Sequence, residues 1–335
     1  MIAATQIRLK KRSEGLPQDD VWETTHDAPR ALEDGEIAVE VEYVSVDPAM
    51  RGWMIDTPSY IPPVALGEVM RAGGVGRVTA SKSDKFAVGD AVVGTVGVQS
   101  HYVGPADGFN EIMPELAPAP KFLGGLGMPG MTAYFGLLEI GRPKEGETIV
   151  VSGAGGAVGS VVGQIAKIKG CRVVGIAGGR EKCDAVASDY GFDACIDYKN
   201  EDVGKALKSA CPDGIDVYFD NVGGDTLDAA LVNMAMGGRI ALCGAISQYN
   251  NMGSGGMLGP RNYMQLLVKR ARMEGFVVFD YAPRFPEAIM TMMGWIGEGK
   301  LTLDEHIVEG IESFPEALRM LFDGRNKGKL VVKVK

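Results

Sequence analysis

The chain is poor in the residues from which metal centres and disulfide frameworks are built. Its 335 residues include three histidines, His26, His101 and His306, far apart in sequence. Its five cysteines, Cys171, Cys183, Cys195, Cys211 and Cys243, all lie in the middle of the chain. No C-x-x-C pair occurs and no cysteine clusters with a histidine, so the thiols read as core residues rather than metal ligands or disulfide partners. The histidines read as surface or packing residues, not catalytic bases. Long apolar runs are missing too: none approaches the length that spans a bilayer. The first residues run into Arg8, Lys10, Lys11 and Arg12 without the apolar segment of a signal peptide. Positive charge is in deficit, with a net charge of -9 and a pI near 5.0. That balance argues against nucleic acid or an anionic membrane as partner, since both attract basic surfaces. Repeats and low-complexity tracts are also absent. The expectation is a soluble, cytoplasmic protein that acts on a small molecule.

What is present is apolar and rich in glycine: 46% of the residues are hydrophobic and 47 are glycine. Such a chain can bury a sizeable core, and its length suggests two domains. Residues 1–125 read as short strands separated by turns. Ile37-Ala38-Val39-Glu40-Val41-Glu42-Tyr43-Val44-Ser45-Val46 alternates like a strand with one buried face and stops at Asp47-Pro48. The runs 64–69, 74–80 and 86–94 are further strand candidates, and the glycine and valine density predicts a compact, curved β domain. The proline-rich stretch 113–120 is the expected crossing to a second domain. Residues 126–300 alternate strands and helices, which predicts an α/β domain with a doubly wound parallel sheet. Strands are expected at 148–152, 172–177, 194–197, 215–220, 239–243 and 273–278, and helices around 203–209 and 227–234. Residues 301–335 add a helix and a closing strand that can rejoin the first domain.

The organising stretch is Gly153-Ala154-Gly155-Gly156-Ala157-Val158-Gly159. Before it stands Thr148-Ile149-Val150-Val151-Ser152, an apolar, β-branched run suited to a buried parallel strand. After it, Val158, Val161, Val162, Ile165 and Ile168 recur at helical spacing. Strand, glycine turn and helix together form a dinucleotide-binding unit, in which bare backbone N–H groups and the positive end of the helix meet a pyrophosphate. The spacing of Gly153, Gly156 and Gly159 is G-x-x-G-x-x-G rather than the stricter G-x-G-x-x-G. The second strand ends in Gly178-Gly179-Arg180-Glu181-Lys182. No carboxylate occupies the first positions past it, where an NAD site binds the ribose 2′-hydroxyl. Arg180 and Lys182 are placed to meet a 2′-phosphate, so the cofactor expected is NADPH/NADP, with Glu181 as the dissenting residue. Tyr198, after the third strand, is a candidate to stack on or cap the adenosine end, or else an aromatic at a strand edge.

Three separated motifs resemble one family. They are Val44-Ser45-Val46-Asp47-Pro48-Ala49-Met50-Arg51-Gly52, the glycine turn with Ser160-Val161-Val162-Gly163-Gln164-Ile165-Ala166-Lys167, and Cys243-Gly244-Ala245-Ile246-Ser247-Gln248-Tyr249-Asn250. They are similar to the zinc-free medium-chain dehydrogenase/reductases, in the leukotriene B4 dehydrogenase/prostaglandin reductase and alkenal (curcumin-type) double-bond reductase branch. The resemblance implies a GroES-like catalytic domain made from both chain ends, a Rossmann domain between them, NADPH as reductant and a homodimer. It implies cofactor contacts at Gly156, Ala157, Val158, Gly159, Lys182, Tyr198 and Asn221. Further contacts are implied at Cys243, Gly244, Ala245, Ile246 and Ser247, at Phe276, Val277 and Val278, and at Asn326. Zinc-dependent relatives carry a cysteine after the first catalytic-domain strand and a Gly-His-Glu motif. Here Asp47-Pro48 and Leu66-Gly67-Glu68 stand instead, so no metal is expected. Ala49 replaces a tyrosine or other large residue of many relatives.

Without a metal, reducing the C=C bond of an enone is easier to arrange than reducing a carbonyl. Hydride adds to the β-carbon, the charge delocalises into an enolate, and a positioned donor hydrogen-bonds its oxygen. Tyr249 is the candidate donor; the other reading is that it packs over the nicotinamide. Tyr43, Met50, Tyr60 and Tyr263, with Met54 and Tyr281, are candidates for the wall of a pocket for an enone or alkenal. The glycine- and methionine-rich stretch 251–260 reads as a mobile lid or as a disordered connection. A zinc-free quinone reductase and a non-catalytic NADP(H)-binding sensor are the competing functions.

Overall fold

The computed structural model describes residues 3–335 except 29, 58 and 253–255. It divides into two compact units. The first comprises Met1–Leu123, Tyr249–Gly256 and Glu305–Lys335, and the second Gly124–Gln248 and Met257–Asp304.

The second unit is built on a six-stranded sheet in the spatial order Ala194–Asp197, Arg172–Ala177, Thr148–Ser152, Ile215–Asp220, Met234–Leu242, Arg272–Gly275. Every neighbouring pair is parallel. Numbered along the chain, the order is 3-2-1-4-5-6, that of a dinucleotide-binding sheet, with its switch point beside the first strand. Four of the five residues of Thr148–Ser152 are buried, as are the last five of Arg172–Ala177. Burial on both faces explains why these strands read as unbroken β-branched runs. Helix Gly159–Ile168 follows the first strand and packs close against Phe192, which follows helix Arg180–Tyr190: a Cβ on Gly163 would come within 1.9 Å of its ring. One face of the sheet is closed by Val150, Val174, Tyr218 and Ile240 packed with Leu207, Leu227 and Leu231. Helix Gly224–Val232 ends before Met234, which opens the fifth strand five residues earlier than expected.

In the first unit both chain ends enter one mixed sheet. Lys329–Lys333 pairs antiparallel with Glu36–Ser45 and parallel with Glu305–Glu309. Helix Phe314–Asp323 makes the crossover between the two parallel strands. Glu36–Ser45 also pairs with Gly73–Ser81 and with His101–Pro105. Ile37, Val39, Val41 and Val44 point into a core shared with Met50, Phe109, Phe314 and Leu330. Two strand expectations fail here. Residues 64–69 form a turn, because Gly67 takes φ 82°, and Val69 makes only an isolated bridge to Arg8. The expected strand 86–94 starts at Ala91, since Asp90 accepts the N–H of Ala87 and folds 87–90 into a turn. The hairpin of Ala4–Leu9 with Trp22–Asp27 was not foreseeable from alternation, because four of the six residues of its second strand are exposed.

Glu36, the first residue of its strand, accepts two 2.6 Å hydrogen bonds from Arg30 and a third from the N–H of Glu33. Chiefly through Arg30, its carboxyl is lowered from 4.5 to about 2. The sign follows from linkage: the folded state prefers the ionised form, so the contribution is complete above about pH 4.5 and is lost as pH falls toward 2. In denaturant titrations, wild type and Glu36→Gln are therefore expected to differ most at pH 5–7 and to converge by about pH 2. A difference that stays constant with pH would contradict this. Among the described residues, no helix is long and apolar enough to cross a membrane.

Candidate cofactor and active site

The first strand of the second unit delivers residues 153–159 at the carboxyl edge of the sheet. Gly153 takes φ 62°, a conformation that side chains disfavour, and so turns the chain at once out of the strand. A Cβ on Gly159 would lie 2.3 Å from the carbonyl oxygen of Gly153 and 2.9 Å from Cα of Ala154. Only glycine lets the helix start this close to the strand. The helix has no side-chain cap at its N-terminus, where Val158 precedes it. The Ser160 N–H bonds the Gly156 carbonyl at 3.0 Å and the Gly156 N–H the Gly153 carbonyl at 3.0 Å, so the other N–H groups at this helix start are left to a ligand or water. Gly156, Ala157 and Val158 keep part of their surface accessible, while Gly159 is buried.

Polar residues at the strand ends hold this edge together. Ser152 Oγ donates to Oδ1 of Asp220 at 3.1 Å and accepts the N–H of Asn221 at 2.9 Å. The Asn221 amide donates to the Ser152 carbonyl at 2.7 Å, which fixes its side chain beside Gly153. Asp220 Oδ1 also accepts from Tyr218 and from the N–H groups of Val222 and Gly223. Oδ2 has no partner among the described residues. Burial raises the Asp220 carboxyl despite those N–H groups, and raises the Tyr218 phenol further. The next strand-end loop is laced to this one. Cys243 and Gly244 donate N–H groups to the Asp220 carbonyl, Ile246 to Asn221, and Ser247 to Val222 through both N–H and Oγ. Ala245 sits against Gly223, where a Cβ would come within 2.9 Å. Burial pushes the Cys243 thiol up to about 12, so it is no nucleophile. Phe276 packs edge-on against Phe219 and covers Gly136, while Val277 and Val278 are half-buried at the start of the next turn.

At the other end of the edge, Asp197 collects the N–H of Gly179 at 2.7 Å, that of Lys199 at 3.1 Å and the Asn200 amide at 2.7 Å. Led by Asn200, these donors hold its carboxyl below the usual range. Asp197 therefore pins the turn that presents Arg180 and Lys182. The Lys182 stem lies over the glycine turn: a Cβ on Gly155 would meet its Cδ at 2.8 Å. Tyr198 covers Gly178 with its ring, 48% exposed. Arg180 is 86% exposed and bonds Asp184 through Nε at 2.9 Å. A surface pair of this kind is worth at most about 1 kcal/mol, so it opens readily for a stronger anion.

The remaining candidates are placed differently. Asn326 belongs to the first unit, 8% exposed, with its amide on the Gly328 carbonyl at 3.2 Å. Met50 and Met54 have no exposed surface and belong to the first unit's core, which corrects their reading as pocket wall. Tyr43 is half-buried and packs against the cluster of Val75, Ala91 and Val331. Tyr281 stacks on Phe135 at 4.8 Å. Tyr60 and Tyr263 are exposed. Tyr249 is half-buried in the 3-10 turn Ile246–Asn251. Of the proposed lid 251–260, residues 253–255 lie outside the described residues. Sequence reasoning passed over Ser152, Asp197 and Asp220; a polar residue closing an otherwise buried strand was the available signal.

A zinc ion does not fit the residues present. Asp47, where zinc-dependent relatives carry a ligand, is bonded by the buried Lys329 ammonium at 2.6 Å and by the Ser45 hydroxyl. A cation already neutralises that carboxylate. Among the described residues, no group of three or more His, Cys, Asp or Glu side chains could hold a metal ion.

Comparisons with known proteins agree with this architecture. Residues 5–112 match the family model described as the N-terminal domain of oxidoreductase, and residues 157–294 match that described as zinc-binding dehydrogenase. The NADPH-dependent curcumin reductase of Escherichia coli is 42% identical, over 97% of this chain and 95% of its own. The NADP(+)-dependent 2-alkenal reductase of Nicotiana tabacum is 43% identical, over 99% of this chain and 98% of its own. The crystal structure of CurA from Vibrio vulnificus in complex with NADPH superposes with a TM-score of 0.93 at 43% identity, covering 99% of both chains. The chain belongs to the medium-chain dehydrogenase/reductase family, in the branch of NADP-dependent alkenal, curcumin and prostaglandin reductases.

Proposed function

We propose that the protein uses NADPH to reduce the C=C bond of α,β-unsaturated aldehydes and ketones. The observation that carries this reading is the Ile246–Asn251 turn. It hangs from the Asn221–Val222 backbone by the bonds of Ile246 and Ser247, and it carries the Tyr249 phenol on the same turn as the proposed cofactor contacts. When bound, the nicotinamide supplies the hydride that adds to the β-carbon of the enone. The residues 153–159 hold the pyrophosphate with their open N–H groups, and Asn221 and the 243–247 loop bound the nicotinamide end. Tyr249 donates its O–H to the substrate oxygen as enolate charge develops there. The proton for the α-carbon comes from water or from the cofactor ribose hydroxyl.

Arg180 and Lys182 select the phosphorylated cofactor in this account. Arg180→Ala and Lys182→Ala are each expected to raise KM for NADPH about tenfold, the worth of one charge-assisted hydrogen bond, with KM for NADH nearly unchanged. An undiminished preference for NADPH in both variants would contradict that assignment. We propose a cytoplasmic homodimer; light scattering on the purified protein tests the dimer. The catalytic reading is tested by mixing enzyme and NADPH with a panel of 2-alkenals, enones and quinones and following loss of nicotinamide absorbance. Turnover of alkenals and enones above quinones is expected. Turnover of quinones alone would support the quinone reductase reading, and binding without oxidation a sensor.

A further inference from the structure

Arg51 is a guanidinium with no exposed surface, carried by the short helix Met50–Trp53 in the first unit. Burial lowers its pKa, and no carboxylate offsets that effect. Its partners are neutral: Nε donates to the Gly15 carbonyl at 3.1 Å and to Oδ1 of Asn250 at 3.1 Å, and one terminal nitrogen to the Ser13 carbonyl at 2.9 Å. The other terminal nitrogen has no partner among the described residues. A buried cation without a counter-ion is costly, and an apolar side chain would fill the space more cheaply. What the guanidinium provides is a fixed fork that ties three segments distant in sequence. One of them is the residue next to Tyr249.

The turn Ile246–Asn251 needs such a tie. None of its residues is fully buried, so packing in a core does not lock it in place. Its first half is fixed to the Asn221–Val222 backbone through Ile246 and Ser247. Its second half, in the first unit, meets Arg51 through the Asn250 side chain. We propose that Arg51 is a positioning residue: by gripping Asn250 it sets the backbone that carries Tyr249, and hence where the phenol points. This rests on the reading of Tyr249 as donor to the enolate oxygen. A misplacement of about 1 Å at a reacting group costs up to about 100-fold in rate, so one lost hydrogen bond at this point has a large effect on kcat.

The test compares Asn250→Leu, which removes the acceptor, with Asn250→Asp, which keeps it and adds a charge complementary to Arg51. Both are made in the wild-type and Tyr249→Phe backgrounds and assayed with a 2-alkenal and NADPH. Asn250→Leu is expected to lower kcat about 10- to 100-fold. NADPH affinity, read by nicotinamide fluorescence, and Tm are expected to stay near wild type. Asn250→Asp is expected to keep kcat within about threefold of wild type. Because Asn250 acts through Tyr249, the Leu substitution is expected to add little once Tyr249 is phenylalanine. Full kcat in Asn250→Leu, or equal losses in the Leu and Asp variants, would overturn the proposal while leaving the Tyr249 reading intact. Full turnover in Tyr249→Phe beside a loss in Asn250→Leu would instead remove Tyr249 as donor and keep the tether as a support of the loop.

Discussion

A Gly159→Val protein is expected to bind NADPH on the order of 100-fold more weakly than wild type, the cost of losing two hydrogen bonds to a charged phosphate. The added Cβ alone would stand 2.3 Å from the Gly153 oxygen and 2.9 Å from Ala154 Cα, and both are backbone atoms that no rotamer change can move. The helix must retreat from the strand, and its open N–H groups leave the place where a pyrophosphate is held. Overpacking of this kind also costs about 1–3 kcal/mol of stability, so a fall in Tm accompanies the loss. Gly156→Ala is the matched control. Its Cβ approaches the same oxygen only to 3.3 Å, which a shift of a few tenths of an ångström relieves. Fluorescence titration with NADPH measures both. Equal affinity in Gly159→Val and wild type would place the cofactor elsewhere.

Tyr249→Phe is expected to lower kcat for a 2-alkenal on the order of 100-fold, the cost of removing one preorganised donor to a developing oxyanion. NADPH affinity is expected to hold, because Ile246 and Ser247 tie the loop to Asn221 and Val222. An effect confined to KM would mean that Tyr249 only shapes the pocket. Retention of full kcat would assign the enolate oxygen to another donor.

The nucleotide-binding unit was legible because burial on both faces leaves a plain mark in sequence. Runs such as Thr148–Ser152 and Arg172–Ala177 have little choice but to be central strands, and the glycine turn between strand and helix follows from steric need. The first unit was harder. Trp22–Asp27 is a strand with mostly exposed residues, and so without an apolar alternation to find. The apolar run 64–69 looks like a strand until Gly67 turns it. Core and pocket wall draw on the same residue types, which is why Met50 reads as a substrate contact although it has no exposed surface. The grip of Arg51 on Asn250 joins residues 199 apart, a distance over which no periodicity carries a signal. Nor does composition distinguish Asp47 as a metal ligand from Asp47 as the partner of Lys329; only the fold brings that ammonium to it.

The central claim is that hydride goes to carbon β to a carbonyl. The direct measurement uses NADPH deuterated at the nicotinamide C4 position with a 2-alkenal, and reads the product by NMR. Deuterium on the β-carbon of a saturated aldehyde is the result this account predicts; deuterium on the carbinol carbon of an allylic alcohol would contradict it.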